Sequence, residues 1–222
     1  MCWSASVDLI VGSAVTGIGA VGITLARDRR DAPLAALPVL LGVHQLIESR
    51  IWEASAGPGS VIRGTAVTLW TVIAFVVLPV AVPAAVLSAE RQRRPIQYLA
   101  AACGIPVAAV MIYAVSGGAY ATDRGHVLAY GAGVPLQPLV LAAYLVATCL
   151  PFLTSPEPTL RELGVALVLG AAAATTVDVL AFASIWCALA AVVSLLVVRR
   201  TMVVSPPVST PTDLTAVRHP LG

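Results

Sequence analysis

Stretches of about 20 apolar residues, each long enough to cross the roughly 30 Å hydrocarbon core of a bilayer as a helix, recur along almost the whole of this chain. They fall at Ser6 to Ala26, Pro33 to Ala54, Thr65 to Ser88, Ile96 to Ser116, Val127 to Phe152, Leu160 to Thr176 and Leu180 to Val198. Backbone polar groups find no water in lipid, so such runs must be helices or strands of a closed barrel, and the lengths favour helices. The expected fold is an all-α polytopic bundle of seven transmembrane helices over residues 1–200. Only 11% of the 222 residues are charged, against about 25% in a soluble domain, which leaves no room for a separate soluble unit.

The last two spans are separated only by Val177-Asp178-Val179, so one long broken helix competes with two there. Pro79 and Pro83 in the third span, Pro106 in the fourth, and Pro135 and Pro138 in the fifth are expected to kink their helices. All thirteen basic residues are Arg, and they alternate. Arg27, Arg29 and Arg30 follow the first span, Arg91, Arg93 and Arg94 the third, Arg161 the fifth, and Arg199 and Arg200 the seventh. The other connections hold only Arg63 and Arg124. The positive-inside rule then places the amino terminus outside a cell membrane and the carboxyl terminus in the cytoplasm. The first helix lacks a basic leader and a clear cleavage signal, and is expected to be retained. Residues 201–222, rich in Pro, Ser and Thr, read as a disordered cytoplasmic tail. A net charge of +2 gives no nucleic-acid surface. Cys2, Cys103, Cys149 and Cys187 form no CxxC pair and read as small buried thiols.

Gly17-Ile18-Gly19-Ala20-Val21-Gly22 matches the dinucleotide-binding GxGxxG string, but that string needs a preceding strand and a βαβ unit. Inside a membrane helix it reads as close helix packing. The second span is more informative, because it carries His44, Gln45, Glu48, Arg50 and Glu53, and ionisable residues inside a membrane point to function. At 100° per residue His44, Glu48 and Trp52 share an 80° arc. Glu53 lies nearly opposite His44, where an ion pair with Arg50 competes with a catalytic role. Glu48 sits about 22 Å from Pro33 along the helix, in the expected outer half. Asp8, Asp178, Asp123, Arg124 and His126 collect at that same end. Trp3, Trp52, Trp70, Tyr120, Tyr130 and Trp186 are candidates to line it, although Trp and Tyr also favour membrane interfaces with no chemical role.

Three chemistries fit such a lining. A carboxylic acid in apolar surroundings holds its proton near neutral pH and can act as a general acid. Aromatic faces then stabilise the carbocation formed when an alkene is protonated. Alternatively, His44 and Glu48 with Asp8, Asp178 or His126 bind a divalent metal, although no HExxH spacing occurs. A proton-coupled transporter with Glu48 or Asp178 as the titrating group is the third.

Met1-Cys2-Trp3-Ser4-Ala5, the Asp8 that follows, and Leu34-Ala35-Ala36-Leu37-Pro38 leading into His44-Gln45-Leu46-Ile47-Glu48 with Trp52 resemble a family of small actinobacterial membrane proteins. That family includes the membrane-bound terpene cyclases of indole-terpenoid pathways, the drimentine and xiamycin type. The resemblance covers the first two spans by motif and the remainder by length and hydropathy. It implies a metal-independent, class II-like terpene cyclase without a cofactor. Such an enzyme protonates a farnesyl chain attached to an indole or a tryptophan-derived diketopiperazine and closes a drimane-type bicycle. The proton donor is then expected among Asp8, Glu48, Glu53 and Asp178, with Glu48 first, His44 orienting it, and Asp8 or Asp178 recharging it. No DDxxD or DxDD motif is present.

The alternation of Arg generates a direct test of topology. Reporter tags on the two termini should read opposite sides of the membrane, with the carboxyl terminus cytoplasmic; both tags on one side would remove the seven-span arrangement.

Overall fold

The computed structural model describes residues 4–26, 28–134, 136–177 and 182–203. Six helical segments among them are long and apolar enough to cross a membrane, and a seventh, Gln137–Leu153, is shorter. Helix α1 (Ala5–Leu25) starts at Ser4, whose hydroxyl accepts the Val7 N–H and so caps one orphan donor. Helix α2 (Ala32–Glu53) has Pro33 in its first turn, where the missing N–H costs nothing. The third span, Thr65–Ala89, is built from α3 (Thr65–Val72), a π-helical turn at Ile73–Val77, and α4 (Leu78–Ala89). Pro79 cannot donate to the helical ladder, and the wide turn lies immediately before it. The remaining helices are α5 (Pro95–Ser116), α6 (Gln137–Leu153), α7 (Pro158–Val177), α8 (Phe182–Val193) and α9 (Leu195–Val203).

Large apolar side chains such as Ile10, Ile105, Ile112, Leu139 and Leu169 stand exposed on the outside of these helices. Only lipid makes that arrangement stable, and the chain is a multi-pass membrane protein.

One expected span needs correction, and the expectation of two separate helices at the end of the chain holds. The fifth span does not begin at Val127. Leu128–Gly131 forms a β-strand, and α6 starts only at Gln137. Gly133 (φ +61°) and Leu136 (φ 51°) hold left-handed backbone that a continuing helix excludes, and hydropathy does not separate an apolar strand from an apolar helix. Pro138 consequently sits in the first turn of α6 instead of kinking its middle, while Pro135 lies outside the described residues. The competing single broken helix at the end of the chain does not form. Helices α7 and α8 pack on one another, with Leu189 against Gly170 and the Trp186 indole N–H donating to the Leu167 carbonyl.

The strand belongs to a small antiparallel sheet that the sequence reading did not anticipate, in the order β1 (Val61–Ile62), β2 (Tyr120–Asp123), β3 (Leu128–Gly131). It joins the α2–α3 loop to the α5–α6 loop. Asp123 is the clasp: it is buried, its carboxylate accepts the Ser55 hydroxyl at 2.5 Å and the Gly125 N–H at 2.6 Å, and its backbone pairs with Gly59 and Ser60. This end of the bundle is called the sheet end below. At the opposite end Arg200 donates to both oxygens of Glu157 at 2.7 Å and to Asp31 at 2.8 Å, tying α9 to the starts of α2 and α7.

Helix α1 packs along α2 more extensively than any other pair, and glycines make this possible. A Cβ at Gly42 would collide with Thr16 and the Gly12 carbonyl, one at Gly12 with the Gly42 carbonyl and Leu46, and one at Gly19 with Pro38 and Val39. Within the GxGxxG string, Gly19 and Gly22 serve helix packing, Gly22 lying against Val198, while Gly17 faces open space. Gly42→Val should therefore destabilise the protein by about 1–3 kcal/mol through overpacking, read as a lower thermal midpoint in detergent. Gly17→Ala should leave that midpoint unchanged or raise it, since Gly in a helix costs roughly 0.5–1 kcal/mol relative to Ala.

Candidate functional site

Running toward the sheet end, α2 presents one stripe of side chains: Leu37, Leu41, His44 and Glu48 lie within about 60° of helix face. Leu37 and Leu41 line a small apolar hollow of about 40 Å³, partly open to the outside, together with Leu78, Tyr144, Leu167 and Trp186. The stripe therefore runs from the wall of the hollow up to a buried imidazole and a buried carboxyl.

Glu48 is 1% exposed. Its Oε2 accepts the Trp70 indole N–H at 3.1 Å and its Oε1 accepts the Ser184 hydroxyl at 2.5 Å, so α3 and α8 both donate to α2. The Tyr130 hydroxyl, carried in by β3, is buried beside Glu48 without a well-formed bond to it. Burial pushes the Tyr130 phenol well above the usual tyrosine range, and the hydroxyl stays a neutral donor. His44 is fully buried. Its Nε2 lies 3.2 Å from the Trp70 carbonyl; a carbonyl only accepts, so Nε2 carries the proton and Nδ1 is a bare acceptor, with no partner among the described residues.

Asp8, 2% exposed on the first turns of α1, feels the charge of Glu48 and faces the Trp52 indole. The indole N–H nevertheless makes no well-formed hydrogen bond, and Asp8 Oδ2 has no partner among the described residues. The ion pairs among those residues are Arg50 with Glu53 and Arg200 with Asp31 and Glu157, so neither Asp8 nor Glu48 has a cation against it.

Aromatic rings form a continuous series from this carboxyl to the hollow. Trp70 packs on His44 (centroids 4.5 Å apart) and stacks flat on Tyr130 (3.5 Å, 3° between planes). Phe75, in the π-helical turn, bridges Trp70 and Tyr144, and Tyr144 meets Trp186, which stacks on Phe182.

The structure thus brings together Glu48, His44, Asp8, Trp52, Trp70, Tyr130 and, at the far end of the ring series beyond Phe75 and Tyr144, Trp186. It does not bring Glu53, which is exposed and paired with Arg50 at 2.8 Å, nor Tyr120, which lies on the outside of the sheet under the Arg63 guanidinium. His126 is exposed in the β2–β3 turn, and Asp123 is the structural clasp. Asp178 and Trp3 lie outside the described residues. Ser184, Phe75, Tyr144 and Phe182 were missed: a serine or a ring in an apolar run carries no signal of its own, although Ser184 with Cys187 one turn on marks a helix face. No three His, Cys, Asp or Glu side chains among the described residues are placed to hold a metal ion.

Ser184→Ala would leave Glu48 Oε1 buried without its donor. A loss of about 1–3 kcal/mol of stability is expected, measured by thermal unfolding in detergent; an unchanged midpoint would mean that the hydroxyl does not hold the carboxyl. No curated protein and no solved structure matches this chain. A family profile does match, over residues 1–211, and the chain belongs to that family of unknown function, DUF6629.

Proposed function

We propose that this protein is a membrane-bound terpene cyclase in which Glu48 protonates an alkene of a farnesyl chain attached to an indole, the chain lying in the apolar hollow. The observation that carries this reading is a buried carboxyl with no cation against it among the described residues, set at the head of a series of aromatic rings that ends in the hollow. A carboxyl in such surroundings keeps its proton and is a general acid toward an alkene. The proton adds to the terminal double bond, a tertiary carbocation forms, the next double bonds add to it in turn, and loss of a proton from a neighbouring carbon leaves the bicycle. Atoms and charge balance without a co-reactant, so the net reaction is an isomerisation.

Each neighbouring group has a part in this scheme. The Trp70 indole and the Ser184 hydroxyl fix both oxygens of Glu48, so the acid is positioned before substrate arrives. Tyr144 and Trp186, which line the hollow, offer rings to the cation without capturing it, as a nucleophile would. His44, held by the Trp70 carbonyl, orients the same wall. The resemblance of the first two spans to indole-terpenoid cyclases supports the substrate class. Orientation with the sheet end outside and the carboxyl terminus cytoplasmic belongs to the same proposal.

Membranes containing the protein, incubated with a farnesylated indole and EDTA, should form cyclised product. Glu48→Gln keeps the shape and removes the acidic proton, so the rate should fall by about 10² to 10⁴. Full activity of that variant would move the donor elsewhere, and product that vanishes with the chelator and returns with a divalent cation would favour a metal-dependent enzyme.

A further inference from the structure

We infer that Asp8, Gln45 and Trp52 hold internal water in the seam between α1, α2 and α8, and that this water passes protons from the sheet end to Glu48. The inference deepens the proposed function and rests on Glu48 as its acid.

Gln45 is fully buried, yet neither its amide oxygen nor its amide nitrogen has a partner among the described residues. Asp8 Oδ2 and Trp52 Nε1 are in the same condition. Buried polar atoms are almost always hydrogen-bonded, to protein or to ordered water, and these fall together. On α2, Gln45 and Trp52 are seven residues apart and so within about 20° of each other, with Glu48 between them along the axis and about 60° round from Gln45. The register of α1 is set by Gly12 against Gly42 and Leu46. Asp8 lies one turn from Gly12 toward the sheet end, against Trp52 and within the field of Glu48. The third wall is α8, through Ser184.

The donor and acceptor types suit water. Trp52 only donates, Gln45 does both, and Asp8 accepts or, when protonated, donates. A buried water needs two to four such partners, and a file of them joins Asp8, near the start of α1, to Glu48 one turn deeper than Trp52.

The reaction needs this connection. The proton that Glu48 gives up is lost later from a different carbon, so the acid must be refilled. The hollow is the poorer route: it is lined by no carboxyl or imidazole, and the Thr148 and Ser194 hydroxyls donate to the Tyr144 and Ala191 carbonyls, which leaves only the Tyr144 phenol and the Cys187 thiol. Glu48 stands at the border, with the apolar stripe of α2 on one side and the Gln45–Trp52 side on the other. Substrate and proton therefore reach one carboxyl from two directions.

The test follows hydrogen–deuterium exchange of the buried carboxyl by infrared spectroscopy on the full chain in membranes, with the Glu48 band identified by its loss in Glu48→Gln. Asp8→Asn and Gln45→Met should each slow the deuterium shift of that band by about tenfold or more, and lower kcat with KM retained. A merely loosened bundle would exchange faster, so slowing separates a relay from a structural role. Exchange at the parent rate in both variants overturns the inference, as does the absence of a protonated Glu48 band in the parent. Should the parent form no cyclised product while the two variants exchange slowly, the water path stands and the cyclase reading falls.

Discussion

A carboxyl group held in a lipid-embedded bundle must take its hydrogen bonds from the protein, and much of this structure is arranged around that requirement at Glu48. One oxygen is satisfied from α3 through Trp70 and the other from α8 through Ser184, so a single side chain ties three helices together. The Trp70 backbone carbonyl is in turn held by His44, one turn earlier on α2. Trp70 then serves as the base on which β3 lays Tyr130. The sheet is not a decoration at the loop end: clasped by Asp123 to the segment that leaves α2, it brings a phenol over the same carboxyl.

The two ends of the bundle treat buried charge differently. At the far end Asp31 and Glu157 share Arg200, an arrangement with an evident structural use, since it locks α9 against two loops. At the sheet end Asp8 and Glu48 lie within each other's field with no cation against them. Two desolvated carboxyls in that situation are costly, and a purely structural need would be met more cheaply by apolar residues. Retention of unpaired ionisable groups inside a membrane therefore weighs toward function at this end.

How much of this was legible in the sequence depends on the kind of signal. The helical architecture was, because hydropathy over about 20 residues reports the thickness of a bilayer. The stripe of His44, Glu48 and Trp52 was too, since helical periodicity is local, and so was the competing Arg50–Glu53 pair, three residues apart. The sheet was not. Val61-Ile62 and Leu128–Gly131 are too short and apolar to stand out from neighbouring spans, and their pairing with Tyr120–Asp123 is a long-range event. Ser184 and Tyr144 were invisible for the same reason, being defined by what α8 and α6 pack against. Tyr120 and Tyr130 look alike in sequence. Only the register of β2 on β3 separates them, sending one ring outward to Arg63 and the other onto Trp70.

The position of Glu48 on α2 gives the site its logic. One side of the helix at that level continues the wall of an apolar hollow through Leu37, Leu41 and His44, and the adjacent side carries Gln45 and Trp52 toward α1. The glycines that let α1 approach so closely stop at Gly12, one turn short of Asp8, so the seam is tight through its middle, where Thr16 lies against Gly42, and carries Asp8 and Trp52 where it nears the carboxyl. For the proposed cyclase, a more polar helix would flood the hollow with water and quench a carbocation, and a wholly apolar one would strand the acid after a single turnover. Under that proposal, a carboxyl on the boundary between the two faces would keep water off the reacting chain and leave the acid within reach of protons.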